Sequence, residues 1–206
     1  MGKVKAQISM SLDGFITGPN DSVDIPMGEG GERLHEWIFG LKSWREPHGL
    51  EGGETNQDSK VLDEAIGNTG AVVVGRRMFD HAQGWGDNPP FHVPVFVLTH
   101  RAQEPLVKDG GTTFTFVTDG VERAVEMARY AAGDKDVAVG GGASVFQQLI
   151  TAGPLDEIEI HVVPVLVGGG KRLFDNLGTD QLELVNDRAI YSPGVTHLRY
   201  RRTASS

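Results

Sequence analysis

The sequence predicts an α/β fold: a twisted, mostly parallel sheet with helices on both faces, closed by a C-terminal antiparallel hairpin. Three observations carry this. Short β-branched runs alternate with amphipathic stretches through the middle of the chain, the pattern of parallel strands joined by crossover helices. Several of those runs stop at glycine or at Thr-His-Arg, and in such sheets ligands bind at the carboxyl ends of strands. The last two segments, 182–191 and 195–201, flank Ser192-Pro193-Gly194, a turn between antiparallel strands.

Residues 4–10 (VKAQISM) alternate apolar and polar and predict the first strand, which runs into Ser11-Leu12-Asp13-Gly14. Residues 19–56 form an insertion rich in glycine, with Pro19, Pro26 and Pro47 and with Trp37 and Trp44. A loop of that length in a compact domain is functional or an interface element, and this one suits a lid or a dimer surface. Within it, 32–41 (ERLHEWIFGL) places Leu34, Trp37, Ile38 and Leu41 on one face and predicts a short helix. Residues 59–67 (SKVLDEAIG) predict a helix ending at glycine. Strands follow at 71–74, running into Gly75-Arg76-Arg77; at 94–98, ending in Thr99-His100-Arg101; and at 113–117. Residues 120–132 predict an amphipathic helix with Val121, Ala124, Val125 and Ala128 inward. Residues 136–150 (DVAVGGGASVFQQLI) read as strand, tight glycine turn and helix, and 157–163 (EIEIHVV) as an alternating strand. The tail, 203–206, is expected to fray.

Composition narrows the function. A chain of 206 residues suits one domain, 1–206, carrying the insertion. Its 28 glycines cluster at turns without a period, which excludes collagen-like and linker readings. The absence of cysteine removes disulfides, thiolate metal sites and cysteine nucleophiles, and permits the cytoplasmic location expected here. The N-terminus enters a strand pattern with no apolar signal core, and no window approaches the ~18 apolar residues of a membrane span. A net charge of −9 argues against a nucleic-acid binder, so any phosphate must be held by local positive charge. The seven histidines are scattered without metal-ligand spacing, and no metal is expected. Ser144, in GASVF, lacks the second glycine of a nucleophile elbow, so a hydrolase is a poor reading.

The informative charges lie at three strand ends. Gly140, Gly141 and Gly142 leave no side chain between a ligand and the backbone, and the first free N–H groups of the next helix favour an anion. Alone, that stretch is either a phosphate cradle or a tight turn. Gly75-Arg76-Arg77 and Thr99-His100-Arg101 add cations at two neighbouring strand ends, and arginine suits bidentate recognition of phosphate.

Together SLDGFI, VVVGRRMFD, VFVLTHR, VGGGASVFQQLI and DEIEIHVVPVLVGGGKRLF resemble the dihydrofolate-reductase-like superfamily. They are most similar to the C-terminal reductase domain of the bifunctional riboflavin-biosynthesis deaminase-reductase. The resemblance covers nearly the whole chain and rests on the order and spacing of the motifs. It implies a dihydrofolate-reductase-like three-layer sandwich that binds NADPH and reduces a small molecule as a homodimer. By the same resemblance Gly75, Arg76 and Arg77 approach the pyrophosphate and adenosine 2′-phosphate. Thr99, His100 and Arg101 hold the adenosine end, and Gly140, Gly141, Gly142, Ala143, Ser144 and Val145 wrap the pyrophosphate. The implied reaction is hydride transfer to a heterocyclic or ribosylamine substrate, 5-amino-6-(5-phosphoribosylamino)uracil foremost. Alternatives are a dihydrofolate or pterin reductase and a non-catalytic nucleotide- or flavin-binding protein. The substrate carboxylate of dihydrofolate reductases has no clear counterpart, although Asp63 and Glu64 are available, and the deaminase half is missing.

On the substrate side, Asp13 at the end of the first strand is the candidate catalytic residue, placed to protonate or orient a substrate atom. The alternative for Asp13-Gly14 is a simple turn. Trp85 is a candidate for stacking on a planar heterocycle, and Gln7 and Ser9, on one strand face, are candidate substrate contacts. Lys171, after a second triglycine, could reach a substrate phosphate. His161 alternates with Ile158 and Ile160 and reads as structural.

Overall fold

The structure, a computed structural model, describes residues 2–178 and 181–202. In chain order the elements are β1 (Val4–Ser11), β2 (Phe15–Thr17), α1 (Glu36–Phe39), α2 (Lys42–Arg45), α3 (Gln57–Gly67), β3 (Thr69–Gly75) and α4 (Arg76–His81). They continue with β4 (Val95–Leu98), β5 (Leu106–Val107), β6 (Thr113–Val117), α5 (Val121–Ala132), β7 (Asp136–Gly141) and α6 (Ala143–Ala152). The chain ends with β8 (Glu157–Val163), β9 (Lys171–Arg172), β10 (Leu184–Ser192) and β11 (Val195–Arg202).

The main sheet runs β10-β11-β8-β1-β7-β3-β4-β6-β5. From β8 to β6 every pairing is parallel, and the antiparallel pairs β11–β8, β10–β11 and β5–β6 lie at the two ends. The core explains the sequence pattern. In β3, Val73 packs with the apolar stripes of α5 and α6, whereas Val72 and Val74 pack with Val95, Val97, Phe79 and Phe114 on the other face. Successive residues of a strand point to opposite faces. A strand covered on both sides therefore reads as the continuous valine run seen here. Val121, Ala124, Val125 and Ala128 of α5 are buried, as their helical spacing requires.

The insertion departs from expectation. The single helix predicted at 32–41 is instead a 3-10 turn at Gly31–Leu34 followed by the one-turn helices α1 and α2. Gly40 is a poor helix residue, and Leu41 turns extended (φ −82°, ψ 138°), so the face implied by periodicity is broken into pieces. Those pieces dock separately: Leu34 and Trp37 pack with Val163 and Val195. Trp37 is thus an inward anchor, its Nε1 donating to Ser9 Oγ at 3.0 Å, rather than a side chain offered to a partner. Trp44 stacks on His48, with ring centroids 4.1 Å apart. Helix α3 begins two residues earlier than predicted. Its N-cap, Asn56, accepts from the N–H groups of Asp58 and Ser59 at 2.9 and 3.1 Å.

Strands β2, β5 and β9 have two or three residues and no periodicity to read. Pairing of β2 with β9 brings Lys171 and Arg172 back beside the first loop. The predicted frayed tail lies outside the described residues. Among the described residues no helix is long and apolar enough to cross a membrane.

Candidate active site

One cleft of about 930 Å³ runs along the carboxyl ends of the parallel strands. All twelve residues expected at the three strand ends line it: Gly75, Arg76 and Arg77; Thr99, His100 and Arg101; Gly140, Gly141, Gly142, Ala143, Ser144 and Val145. The parallel register puts them side by side, because β7 pairs with β3 and β3 with β4. The cleft is larger than one small heterocycle needs and lies in the range of ligand sites.

At the end of β7 the Gly141–Gly142 peptide is cis and Gly141 has φ 130°, a conformation that side chains rarely adopt. A Cβ on Gly141 would stand 3.1 Å from Met78 Sδ, and one on Gly75 would stand 3.0 Å from Val145 Cγ2. The backbone of β7, the end of β3 and the first turn of α6 can meet this closely only with glycine at both positions. Val145 N–H already donates to Gly142 O at 3.0 Å, and no acidic side chain occupies the first turn. The first N–H groups of α6 have no acceptor within the helix, as at any helix start.

Arg76 lies over Phe79 and Phe116, 5.8 and 5.5 Å from the ring centroids, and its Nε donates to Asp80 at 2.8 Å. Thr99 is buried; its Oγ1 accepts from Arg101 N–H at 3.1 Å, which turns the chain so that His100 and Arg101 stand exposed at the rim. Arg77 is already engaged. It grips Asp21 of the insertion through Nε at 2.8 Å and Nη2 at 3.0 Å, and Nη2 also donates to the Asp21 carbonyl at 3.1 Å. Lys171 Nζ donates to the same carboxylate, and His81 Nδ1 lies 3.6 Å away. Burial alone would raise the Asp21 pKa, but the hydrogen bonds from Lys171 and Arg77 hold it below the ordinary carboxylate value.

Asp21 sits on a strap, 18–30, that crosses the cleft. The strap is held in register by Gly18 N–H to Met27 O and Glu29 N–H to Pro19 O, both 2.8 Å. Its residues Asp21, Pro26 and Met27 line the cleft with Ile8, Ile16 and His35. Neither Asp21 nor His35 carries a local sequence signal. Each reaches the cleft through long-range packing of the insertion.

The substrate-side expectations fare less well. Asp13 does not line the cleft. Its Oδ1 accepts from Ser11 Oγ at 2.6 Å and from Val167 N–H at 3.1 Å, and its Oδ2 from Gly168 N–H at 2.8 Å. The Ser11 hydroxyl and those two backbone N–H groups lower its pKa to about 2 against the opposing effect of burial, so it is a fixed carboxylate tying two loops together. The turn reading of Asp13-Gly14 is the one the geometry favours. Gln7 and Ser9 point away from the cleft as well: Gln7 Nε2 donates to Glu159 at 3.3 Å, and Ser9 accepts from Trp37. Trp85 does line the cleft, braced by Phe91 and Phe114 at 4.8 and 6.0 Å. Glu64, considered as a substrate carboxylate, is bonded to Arg188 and Arg199 at 2.6 and 2.8 Å and lies away from the cleft. His161 is buried, as expected of a structural residue; its Nδ1 lies 2.7 Å from His197 Nδ1, and burial, then His197, depress its pKa to about 3.

A parallel sheet with an antiparallel C-terminal edge, carrying a cleft at its carboxyl ends, is the architecture of the dihydrofolate-reductase-like class. Within that class, the family described as the RibD C-terminal domain matches residues 2–195, and the chain belongs to it. The chain is 27% identical to a Bacillus subtilis protein, "Uncharacterized protein YyaP", over 96% of this chain and 94% of that one. Its fold matches a candidate riboflavin biosynthesis protein from Shewanella sp. PV-4 with a TM-score of 0.69 and 21% identity, covering 99% and 100% of the two chains. Enterococcus faecalis dihydrofolate reductase, solved with NADP(H), matches with a TM-score of 0.54 and 17% identity over 98% of each chain. The Thermotoga maritima deaminase/5-amino-6-(5-phosphoribosylamino)uracil reductase matches with a TM-score of 0.59 and 15% identity. That match covers 98% of this chain and 57% of that longer one.

Proposed function

We propose that this protein is an NADPH-dependent reductase that transfers hydride to a small heterocyclic or ribosylamine substrate. The substrate we put first is 5-amino-6-(5-phosphoribosylamino)uracil or a close relative. The observation that carries the proposal is the convergence of the three strand ends on one cleft in a protein of net charge −9. The glycine cradle fits the cofactor: a Cβ at Gly141 would meet Met78, and no side chain stands before the first turn of α6. Gly140 to Val145 would take the pyrophosphate with backbone N–H groups. Arg76, His100 and Arg101 would take the adenosine end, with Arg76 supplying charge at the 2′-phosphate. Arg77 serves this site while paired to Asp21 and does not present a free guanidinium. Ile8 and Ile16 line the cleft where it passes β1 and supply an apolar wall that excludes water from the reacting face. When bound, the nicotinamide supplies the hydride, so the side chains have mainly to hold two flat rings at reacting distance.

Two further observations refine the reading. Asp63 and Glu64 are not cleft residues, so neither supplies the carboxylate of folate-type recognition; the carboxylates that line the cleft are Asp21, Asp80 and Asp175. Trp37 is turned inward, so it is not itself a pairing contact, and light scattering checks the homodimer we expect. The function is tested by fluorescence titration with NADPH and NADH, followed by steady-state oxidation of the bound nucleotide with candidate pyrimidines. NADPH preferred over NADH, with the preference reduced about tenfold or more by Arg76→Ala, supports the proposal. Binding without any turnover supports the non-catalytic alternative, and no binding of either nucleotide refutes the site.

A further inference from the structure

His35 is a polar group in this cleft with no assigned partner. It stands between the 3-10 turn Gly31–Leu34 and α1, and its position is rigid. The preceding residue, Leu34, is fully buried, and Trp37 two residues on is bonded to Ser9 and packed on His161 and His197 with ring centroids 4.8 and 5.0 Å apart. Its backbone N–H donates to Glu32 O at 2.8 Å and its carbonyl accepts from Ile38 N–H at 3.0 Å. Leu34 and Trp37 turn toward the sheet, while the His35 ring lines the cleft beside Ile8, Ile16, Pro26 and Met27.

Nδ1 of that ring is shielded from solvent and has no partner in good hydrogen-bonding geometry among the described residues, although the Gly31 backbone lies near enough to the ring to oppose the effect of burial. Buried polar atoms in folded proteins nearly always have partners, and an exception that faces a cleft calls for a functional explanation. Burial depresses the His35 pKa against a weaker opposing effect of the Gly31 backbone, so the ring is neutral near pH 7. A neutral imidazole recognises a neutral hydrogen-bonding edge rather than an anion.

Position along the cleft decides which ligand that edge belongs to. The sheet runs β8-β1-β7-β3-β4, and the glycine cradle and cationic strand ends occupy β7, β3 and β4. A dinucleotide laid over those three strands ends at β1. His35 lies beyond it, beside Ile8 of β1 and close enough to His161 of β8 to disfavour protonation of that ring. The cleft lining contributed by β1, β2 and the strap includes the apolar Ile8, Ile16, Pro26 and Met27.

We propose that His35 is the substrate-recognition residue of this cleft, its imidazole hydrogen-bonding to the polar edge of an uncharged planar nitrogen heterocycle stacked over β1. This rests on the reading of β7, β3 and β4 as the cofactor side. The test is calorimetric titration of 5,6-diaminouracil into NADPH-saturated wild type, His35→Leu and His35→Gln. Leucine keeps the bulk and removes the hydrogen bond, so its affinity should fall about tenfold, the scale of one hydrogen bond to a buried partner. Glutamine restores a polar atom at similar reach and should recover most of that loss. NADPH affinity should change by less than about twofold in both variants, since the cofactor contacts are distant and independent.

Equal binding by wild type and His35→Leu overturns the assignment. So does a parallel loss of NADPH affinity, which marks a structural role for the ring. NADPH binding by a wild type that takes up no 5,6-diaminouracil overturns it while leaving the cofactor reading intact. Failure of the wild type to bind NADPH overturns both.

Discussion

Replacing Asp21 by alanine should weaken the fold and strengthen anion binding at the same time. The Asp21 carboxylate is 11% exposed and receives Arg77 at 2.8 and 3.0 Å and Lys171 besides. A hydrogen bond to a charged group contributes about 1.5–3 kcal/mol when buried. Here Arg77 is 59% exposed and Lys171 35%, so water screens both and the sum must be discounted toward the ~0–1 kcal/mol of surface pairs. The expected loss is about 2 kcal/mol, or roughly 1 M in the urea midpoint for an m-value near 2 kcal/mol/M. The depressed Asp21 pKa sets the sign with pH. A carboxylate whose folded pKa is lowered stabilises fully above its unfolded value, about 4, and loses that contribution as pH falls through the folded value. The difference between wild type and variant should therefore be full at neutral pH and shrink in acid. Removal of Asp21 also releases a cleft-lining guanidinium, so NADPH should bind up to about tenfold tighter by fluorescence titration. Stability and affinity moving in opposite directions separates this mechanism from general damage. A variant with unchanged urea midpoint, or one that loses affinity together with stability, refutes it.

Three further perturbations probe different parts of the molecule. Glu159 is 3% exposed and bridges Arg188 and Arg199, each at 3.0 Å; Glu159→Ala leaves both cations with Glu64 as their remaining shared carboxylate, at about 1–3 kcal/mol, which urea denaturation measures. Gly141→Ala imposes a side chain at φ 130°, 3.1 Å from Met78 Sδ; we expect ~1–3 kcal/mol of strain, seen as a lower melting temperature, together with loss of NADPH binding. Asp13→Asn should leave the rate of NADPH oxidation within about twofold, because that carboxylate serves the 165–168 loop and not the cleft, and a large fall in turnover would reinstate it as a catalytic group.

Much of this protein was legible in the amino-acid order because the signals are local. Valine runs covered on both faces, the period of Val121, Ala124, Val125 and Ala128, and the turn at Ser192-Pro193-Gly194 each follow from a few neighbouring residues. So does the cleft edge proposed to hold the cofactor, because each of its three parts is a strand and the turn that ends it, and parallel pairing then lines up the ends without further instruction. The insertion was not legible. Its apolar residues suggested one helix, yet Leu34, Trp37 and Leu41 are buried or packed by separate short segments whose conformations answer to the sheet beneath them. The roles of single polar residues were decided there too. Asp13 looked catalytic at a strand end until the 167–168 backbone took its oxygens, and Arg77 looked free until the strap carried Asp21 across to it. Local order sets which elements form and where a ligand edge can lie. Which carboxylate meets which cation, and which histidine is left facing the cleft, depends on contacts between residues dozens to more than a hundred positions apart, and only the folded chain supplies them.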